Sequence, residues 1–599
     1  MKKSIIALAV VAAGALNSVF ADTPVVYPGE AINSISPNGE WMVSELDLER
    51  SMLIRHIPSG KIWTYIYNGL DGGTDYLMAM TGGVSDDGTV VAVVGNVPSY
   101  WRDGKWKAFP GSTGGVAIIG AITPDGKTVV GSINRQGGVI GTSPCIWRKT
   151  DDGSFSEPEF LPSPGRDILG GSAQFLNATA LSDDGSVIGV SMRSGNGFFH
   201  LPYVYRRNDK GDWESLRLGY ELMNPEGRNV SSPGNYRGPS WPDYFSYIDP
   251  DRLEEFLDYC GPWSDELMAQ GKKDWEVSLL QLSMVMDFMT LEKKAKYEPI
   301  LNSFLDAYMP WLEKQLEYEA FLQYLTLEGL NFEFNNVFVS PDGKYLFATA
   351  VKTILLDPGN PENGVLTKYA PVRFDTATGE YELCSFDDNV LISSVAADYS
   401  ILGWEYDPDV YLYRQAYIYP QNSSECVSLP DFYRNEGNGE AYRWFEENLY
   451  QEVLTGVSEN GAYMYDDAWS TGKPVATPDL SYIGFEVSTL YWNVPPNPDA
   501  IFHSYLLDTE NPFADEGNSN EDNAVESFGD TAISLTPLKG GAVRLSGDVV
   551  SVSIYDISGN VVYHADGPGS YLDTSLPAGV YVVSAVGASG ERLTKKAIF

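Results

Sequence analysis

One phrase of sequence recurs along this chain and narrows what it can fold into. It is a serine or threonine, two residues drawn from proline, aspartate, asparagine and glutamate, a glycine, and then an apolar run. The copies are Ser36-Pro37-Asn38-Gly39, Ser85-Asp86-Asp87-Gly88, Thr123-Pro124-Asp125-Gly126, Ser182-Asp183-Asp184-Gly185, Ser340-Pro341-Asp342-Gly343 and Ser458-Glu459-Asn460-Gly461. A worn copy, Ala397-Asp398-Tyr399-Ser400, stands before Ile401-Leu402-Gly403-Trp404 and brings the total to about seven units. Asp-Gly and Asn-Gly tolerate positive φ at little cost, so each phrase reads as a hairpin turn. Apolar runs such as Val90-Val91-Ala92-Val93 and Val187-Ile188-Gly189-Val190 follow the turns, and others precede them. Each turn therefore joins a first strand to a second.

Most units then supply a third and a fourth strand. Pro98-Ser99-Tyr100-Trp101-Arg102, Pro144-Cys145-Ile146-Trp147-Arg148, Pro202-Tyr203-Val204-Tyr205-Arg206 and Pro371-Val372-Arg373-Phe374-Asp375 are third strands. Short runs after a glycine, such as Gly104-Lys105-Trp106, are fourth strands. Four short strands repeated radially protect sheet edges in the manner of a β-propeller. The motif resembles the TolB-type propeller repeat over roughly residues 23–510. The resemblance implies a fold and no activity. The expected fold class is mainly β, a seven-bladed propeller with an α-helical insert followed by a small C-terminal β-sandwich. An array of β-sandwiches built on common Asp-Gly hairpins is the alternative.

The chain has 599 residues and a formal charge of −41. Such acidity repels a phosphate backbone, which argues against nucleic acid as a partner. Residues 1–21 read as a secretory signal peptide: Lys2-Lys3, an apolar core from Ile5 to Leu16, and small residues before Asp22. No other apolar run is long enough to span a membrane, so the mature chain is expected to be soluble or externally attached. Export permits disulfides, yet Cys145, Cys260, Cys384 and Cys426 are widely spaced and form no metal pattern. Cys145 falls in a strand and reads as a buried thiol; Cys384 and Cys426 are candidates to pair across neighbouring blades.

Residues 22–510 make up the propeller. After the fourth unit, apolar residues recur at helical spacing over about 248–331, with a broad face of Val277, Leu280, Leu282, Val285, Met286 and Met289 and an interruption near Pro310. A short helix is expected over Phe432 to Gln451, and long loops over Lys352 to Lys368 and Asp466 to Ala500. In a propeller all of these fall on one face and the tight turns on the other, so one loop-decorated face is expected to carry function. The seventh unit lacks a clear fourth strand, and Thr23-Pro24-Val25-Val26-Tyr27 is suited to close the ring there as an edge strand. Residues 511–530 form an acidic linker. Residues 531–599 alternate with period two around Ser558-Gly559-Asn560. They resemble the C-terminal sorting domain of type IX secretion cargo in Bacteroidota, through Ile554-Tyr555-Asp556-Ile557-Ser558-Gly559-Asn560-Val561-Val562, Leu576-Pro577-Ala578-Gly579-Val580-Tyr581-Val582-Val583 and Lys595-Lys596. The usual turn arginine is Asn560 here, and the chain ends Ala597-Ile598-Phe599. The resemblance implies the type IX secretion machinery as a partner.

No hydrolase elbow, His-Glu-x-x-His or phosphate-binding glycine loop is present. Four histidines (His56, His200, His503, His564) supply a triad or zinc centre poorly. Turn aspartates read as turn formers. No cofactor is identified; calcium stays open, although no EF-hand loop appears. Aromatic residues on the decorated-face loops are the binding candidates: Trp404, Tyr406, Tyr411, Trp469, Tyr491 and Trp492, with His200 beside Phe198-Phe199. Trp444 reads as packing. The expectation is a protein binding an extracellular glycan, peptide or envelope partner; a carboxylate-dependent hydrolase or lyase is the alternative, since a glycosidase needs only two acids at a suitable distance.

Overall fold

The computed structural model describes residues 25–508 and 534–598, apart from short internal segments of which 67–80, 406–414, 458–462 and 492–498 bear on the argument. The chain forms two compact units, Met1–Asp515 and Glu516–Phe599. Among the described residues no helix is long and apolar enough to cross a membrane. The segment expected to be a signal peptide lies outside the described residues.

The repeated turn is built around a buried hydroxyl. Ser182 Oγ donates to Asp184 Oδ1 at 2.7 Å and accepts from the Val187 amide at 3.0 Å. The Gly185 amide closes the turn on the Ser182 carbonyl at 2.9 Å. The same 2.7 Å bond joins Ser36 to Asn38, Ser85 to Asp87, Thr123 to Asp125 and Ser340 to Asp342. The glycine that follows holds φ between 68° and 78° in all five copies, a region where a Cβ is strained.

Strands flanking these turns assemble into seven four-stranded antiparallel sheets, spanning 30–66, 81–108, 117–160, 175–217, 331–383, 390–428 and 475–508. The first strands of successive sheets neighbour one another, and that of the seventh neighbours that of the first, so the series is cyclic. Apolar cores lie between adjacent sheets, for example Ile54 with Trp101 and Tyr100 with Trp147. Five of the third strands place one large ring in this layer. Trp101, Trp147, Tyr205, Phe374 and Tyr419 are all fully buried. In four of these strands the proline three residues earlier accepts a main-chain bond from the end of the fourth strand: Pro98 from Phe109, Pro144 from Leu161, Pro202 from Leu218 and Pro371 from Cys384.

Several expectations are corrected. The seventh sheet does not use Ser458-Glu459-Asn460-Gly461. The strands around it, Tyr450–Val457 and Tyr463–Trp469, pair in a two-stranded sheet of their own. The seventh turn is instead Thr477-Pro478-Asp479-Leu480, with the same 2.7 Å bond from Thr477 to Asp479 and Leu480 at φ 60° in place of glycine. The sixth turn starts one residue earlier than expected, as Ala396-Ala397-Asp398-Tyr399, with no hydroxyl at its first position and Tyr399 at φ 73°. The expected long loop 352–368 is mostly hairpin, since strands Tyr345–Leu355 and Val365–Asp375 stay paired out to Leu355 and Val365. Between the fourth and fifth sheets lie helices α1 (Leu253–Ala269), α2 (Asp274–Met284) and α3 (Leu291–Leu327). Helix α3 runs through Pro299 and Pro310 without a break. A proline costs one intrahelical bond, and buried Leu301, Phe304, Leu312 and Tyr318 anchor both sides of it. The expected continuous face from Trp275 onward ends at Thr290, whose hydroxyl caps α3 by accepting from the Lys293 amide, and Leu280 is exposed. Two helices, α4 (Leu429–Asn435) and α5 (Gly439–Asn448), pack Tyr433, Trp444 and Phe445 against Phe485 and Tyr505 of the seventh sheet. All four cysteines are free thiols; Cys384 and Cys426 share one core without bonding.

The second turn position alternates around the series: Pro37, Asp86, Pro124, Asp183, Pro341, Ala397, Pro478. Proline has no amide proton, so only the even turns can donate. They do so onto the next proline carbonyl: Asp86 to Pro124 at 2.9 Å, Asp183 to Pro341 at 2.9 Å and Ala397 to Pro478 at 2.6 Å. Turns two and three, four and five, and six and seven are thus coupled, and the first is left over. Its amide at Asn38 reaches the Asp86 side chain instead, at 2.9 Å. The first sheet is also where the series closes. Residues Val25–Pro28 pair antiparallel with 503–506 as the outer strand of the seventh sheet, as their β-branched sequence predicts. Ser504 Oγ donates to the Glu30 carbonyl at 2.7 Å. Arg55 pairs with the buried Glu30 at 2.8 Å and lies 4.4 Å over the Tyr27 ring. Burial pushes the Tyr27 phenol up to about 12 against the pull of Arg55. Deleting residues 22–28 is expected to lower the melting temperature of the first unit, and Tyr27→Ala to cost about 3 kcal/mol. Unchanged thermal unfolding of both variants would show that the seam is held elsewhere.

The second unit has a three-stranded sheet and a four-stranded antiparallel sheet around Val552, Ile554, Leu572, Tyr581 and Val583. Strand Val549–Tyr555 pairs with Val561–Asp566, the hairpin expected around Ser558-Gly559-Asn560. Leu576 packs on this core, Lys595 and Lys596 sit in the last strand opposite Val583 and Val582, and Asp556, Gly559, Pro577 and Gly579 lie outside the described residues.

Candidate functional site

Antiparallel alternation gives every sheet two ends. The Ser/Thr turns mark one; the second-to-third and sheet-to-sheet connections mark the other. Helices α1–α3 leave from the loop end, and their exit is tied to a loop there: the Asn331 side chain donates to the Phe198 carbonyl at 2.9 Å. The C-terminal part of α3 packs Phe321, Tyr324 and Leu325 into the core shared by the fourth and fifth sheets.

The first strands are irregular partway along their length, three residues before the turn in five sheets. Each of five carries a single unpaired residue: Asn33, Gly82, Gly120, Thr179 and Ser393. In the fifth sheet the irregularity is larger. Glu333, Phe334, Asn335 and Asn336 together stand opposite Thr349 alone. Bulges of this kind re-aim side chains and cluster beside functional sites. A polar network holds this one. Asn335 adopts φ 63°, a value asparagine tolerates better than most residues. Its amide donates to Ser191 Oγ at 3.2 Å, and its side-chain oxygen accepts from Asn177 at 2.8 Å. Asn177 in turn accepts from Thr142 at 2.9 Å. Asn336 accepts from Thr349 Oγ1 at 2.6 Å and donates to the Ile392 carbonyl at 2.8 Å. The bulge is thereby fixed to the third, fourth and sixth sheets.

What the bulge presents is Phe334. Its ring stacks on His200 with centroids 4.8 Å apart. The Arg193 guanidinium lies 4.4 Å from the Phe175 ring and 5.7 Å from that of Phe334. Phe175 and Arg193 are register partners at the loop end of the fourth sheet. His200 is held from its own strand start: its amide donates to Asn331 Oδ1 at 2.8 Å, and Nδ1 lies 3.1 Å from the Phe332 carbonyl. Burial, with the charge of Arg193 added, pushes His200 below its usual pKa. It therefore stays neutral and positions Phe334. Burial also raises the Glu333 carboxyl.

The other expected binding residues are scattered. Trp404 lies in the second strand of the sixth sheet, opposite Leu391 and Ala416, and is half-buried. Trp469 ends a strand of the two-stranded sheet and Tyr491 a strand of the seventh sheet, so neither lies in a long loop. Tyr406, Tyr411 and Trp492 lie outside the described residues. Of the candidates, only His200 belongs to the cluster. Phe175, Arg193 and Phe334 went unnoticed because nothing in Asn331-Phe332-Glu333-Phe334-Asn335-Asn336 distinguishes a bulge from a straight strand; the paired asparagines were the available signal.

Carboxylates at the turn end divide into two kinds. At the third turn position burial works against ionisation, but hydrogen bonds outweigh it and lower Asp87, Asp125, Asp184 and Asp342. These are turn formers, as expected. At the second position Asp183 is raised by burial and by the charges of Asp86, Asp184 and Asp342, and Asp86 is raised chiefly by burial. Asp183 borders an open cleft of about 340 Å³ with Lys127, Arg148 and Lys149. Those cations are already committed, Lys127 to Asp125, Arg148 to Glu159 and Lys149 to Asp87. A raised folded-state pKa means that Asp183 destabilises the fold when ionised. Asp183→Asn should raise the melting temperature at pH 7, by on the order of 0.5 kcal/mol after solvent screening. The gain should shrink as pH falls through the raised pKa and vanish below 3.8, the value of an unperturbed aspartate. A gain independent of pH would argue against this charge as its source.

No family model and no curated protein matches this chain. Solved structures do. The β-propeller domain of Cps50 (Swd1) from Myceliophteria thermophila is 8% identical, with 81% of this chain and 96% of that one covered and a TM-score of 0.32. A putative TolB from Agrobacterium tumefaciens is 9% identical, with 68% and 80% covered and a TM-score of 0.27. The periplasmic gluconolactonase PpgL of Pseudomonas aeruginosa is 12% identical, with 83% and 97% covered and a TM-score of 0.27. These neighbours are β-propeller proteins. The likeness extends to the fold alone.

Proposed function

We propose that the first unit is a seven-bladed β-propeller with an α-helical insert, and that it binds a glycan, peptide or envelope partner through its loop end. The observation that carries this reading is the four-residue bulge Glu333–Asn336 in the strand that follows the helical segment. A first strand that abandons its ladder for four residues, and is fixed there by Asn177 and Ser191 of the fourth sheet, Thr349 of its own sheet and the Ile392 carbonyl of the sixth, is a built feature. Its position between blades four and five, where the insert also enters, marks the binding region. The N-terminal leader and the sorting-domain resemblance of the second unit support export, followed by release or attachment at the outer-membrane surface through the type IX machinery. No cofactor is identified; calcium stays open.

The runner-up reading, a carboxylate-dependent hydrolase or lyase, draws on Asp86 and Asp183 at the opposite end, where each keeps a raised pKa and Asp86 bears on Asp183. A glycosidase also needs a definite separation between its two acids. Glu333 at the loop end owes its shift to burial, without a second carboxylate beside it among the described residues.

The deciding experiment is a screen of the mature chain against immobilised glycans and peptides, with and without calcium, with product analysis by mass spectrometry. Selective retention of one class, weakened about tenfold or more by Phe334→Ala, is the expected outcome. Retention untouched by Phe334→Ala would move the site elsewhere. A cleavage product lost in Asp86→Asn or Asp183→Asn would replace the binding reading by the enzymatic one.

A further inference from the structure

Acidic residues outnumber basic ones by 81 to 40 in this chain. A cation on a sheet therefore has acids in ample supply, and the arginines of the sheets find them. Arg55 pairs with Glu30, Arg102 with Asp87, Arg148 and Arg207 with Glu159, and Arg373 with Glu382. Arg193, like Arg217 over the Tyr220 ring, departs from this pattern, and it alone of the two stands beside the bulge. Among the described residues it has no carboxylate partner, and its Nε is buried without a hydrogen-bond acceptor. Its neighbours are the faces of Phe175 and Phe334. Aromatic faces steady a guanidinium without consuming its donors. It stands at the loop end, on the strand next to the bulge, with His200 held neutral beside it.

Resting on the binding reading above, we infer that Arg193 anchors the carboxylate of an acidic saccharide, a uronic acid residue of a glycan, between Phe175 and Phe334. A guanidinium fork matches a planar carboxylate with two parallel bonds. One fixed cation suits one unit of negative charge. A phosphate commonly recruits several cations, and Arg193 is the one charge that bears on His200 here. An extended peptide would bind by adding to a strand edge, yet the bulge Glu333–Asn336 interrupts the row of main-chain groups beside Arg193. A compact ring bearing an acid needs no such edge, and its C–H face suits the flanking phenylalanines.

The test measures binding of trigalacturonate and of its methyl ester to the mature chain by calorimetry or saturation-transfer NMR. The ester keeps shape and removes charge. The acid should bind about tenfold or more tighter than the ester, and Arg193→Gln should erase that preference. Arg193→Lys keeps the charge and loses the fork; it should weaken the preference partly and guards against a folding defect in the first variant. Equal binding of acid and ester, no binding of either, or a preference that survives Arg193→Gln overturns the inference. So does capture of acetyl-Phe-Ala with a free C-terminus, but not of its amide, in place of the saccharide. A neutral ligand that depends on Phe334 and ignores Arg193→Gln would leave the binding reading standing while this inference falls. Absence of any retained ligand would remove both.

Discussion

A buried hydroxyl at the start of six of the seven hairpins is the contact on which the rest of the first unit depends. Ser36, Ser85, Thr123, Ser182, Ser340 and Thr477 are almost wholly buried. A hydroxyl in that position must be hydrogen-bonded or it costs about 1–3 kcal/mol. Each donates to the Asx two residues on and accepts an amide from the strand that follows. The Asx oxygen in turn accepts a main-chain amide, as Asp184 does from Ser186 and Asp342 from Lys344. Strand two is thereby aligned on strand one before any apolar packing is considered. The large rings of the third strands, Trp101, Trp147, Tyr205, Phe374 and Tyr419, can then meet the next sheet at the same height.

That dependence explains which parts of the architecture were legible. Five turns were readable because serine or threonine, Asx and glycine all carry the motif. The seventh was hidden because Leu480 occupies the positive-φ position, and a decoy with glycine, Ser458-Glu459-Asn460-Gly461, stood nearby. Once the turn hydroxyl and the Asx bond are both in place, they hold the backbone in the strained region, and glycine becomes dispensable. The N-terminal edge strand was legible from its β-branched residues. The path of α3 through Pro299 and Pro310 was not, because packing on both sides overrides a local penalty.

The candidate site was the least legible part. Aromatic residues in loops were the natural suspects, yet the cluster uses residues of regular strands: Phe175 and Arg193 as register partners, His200 at a strand start and Phe334 in a bulge. A bulge of four residues has no period to betray it. It exists because Asn177, Ser191, Thr349 and Ile392, from two neighbouring sheets and its own, supply the partners its backbone and side chains need. Contacts of that range cannot be read from one strand's sequence. Charge gave only indirect help: the excess of acid is what makes an arginine without a carboxylate stand out.

The alternation of proline and non-proline at the second turn position has an arithmetical consequence. Coupling in twos cannot exhaust an odd set, so one member must be bonded by other means. The chain places its two termini's contribution at that member, where Tyr27, Glu30 and Arg55 supply the missing attachment. Removing one coupled turn would leave its partner without that main-chain bond, whereas removing a coupled pair would not.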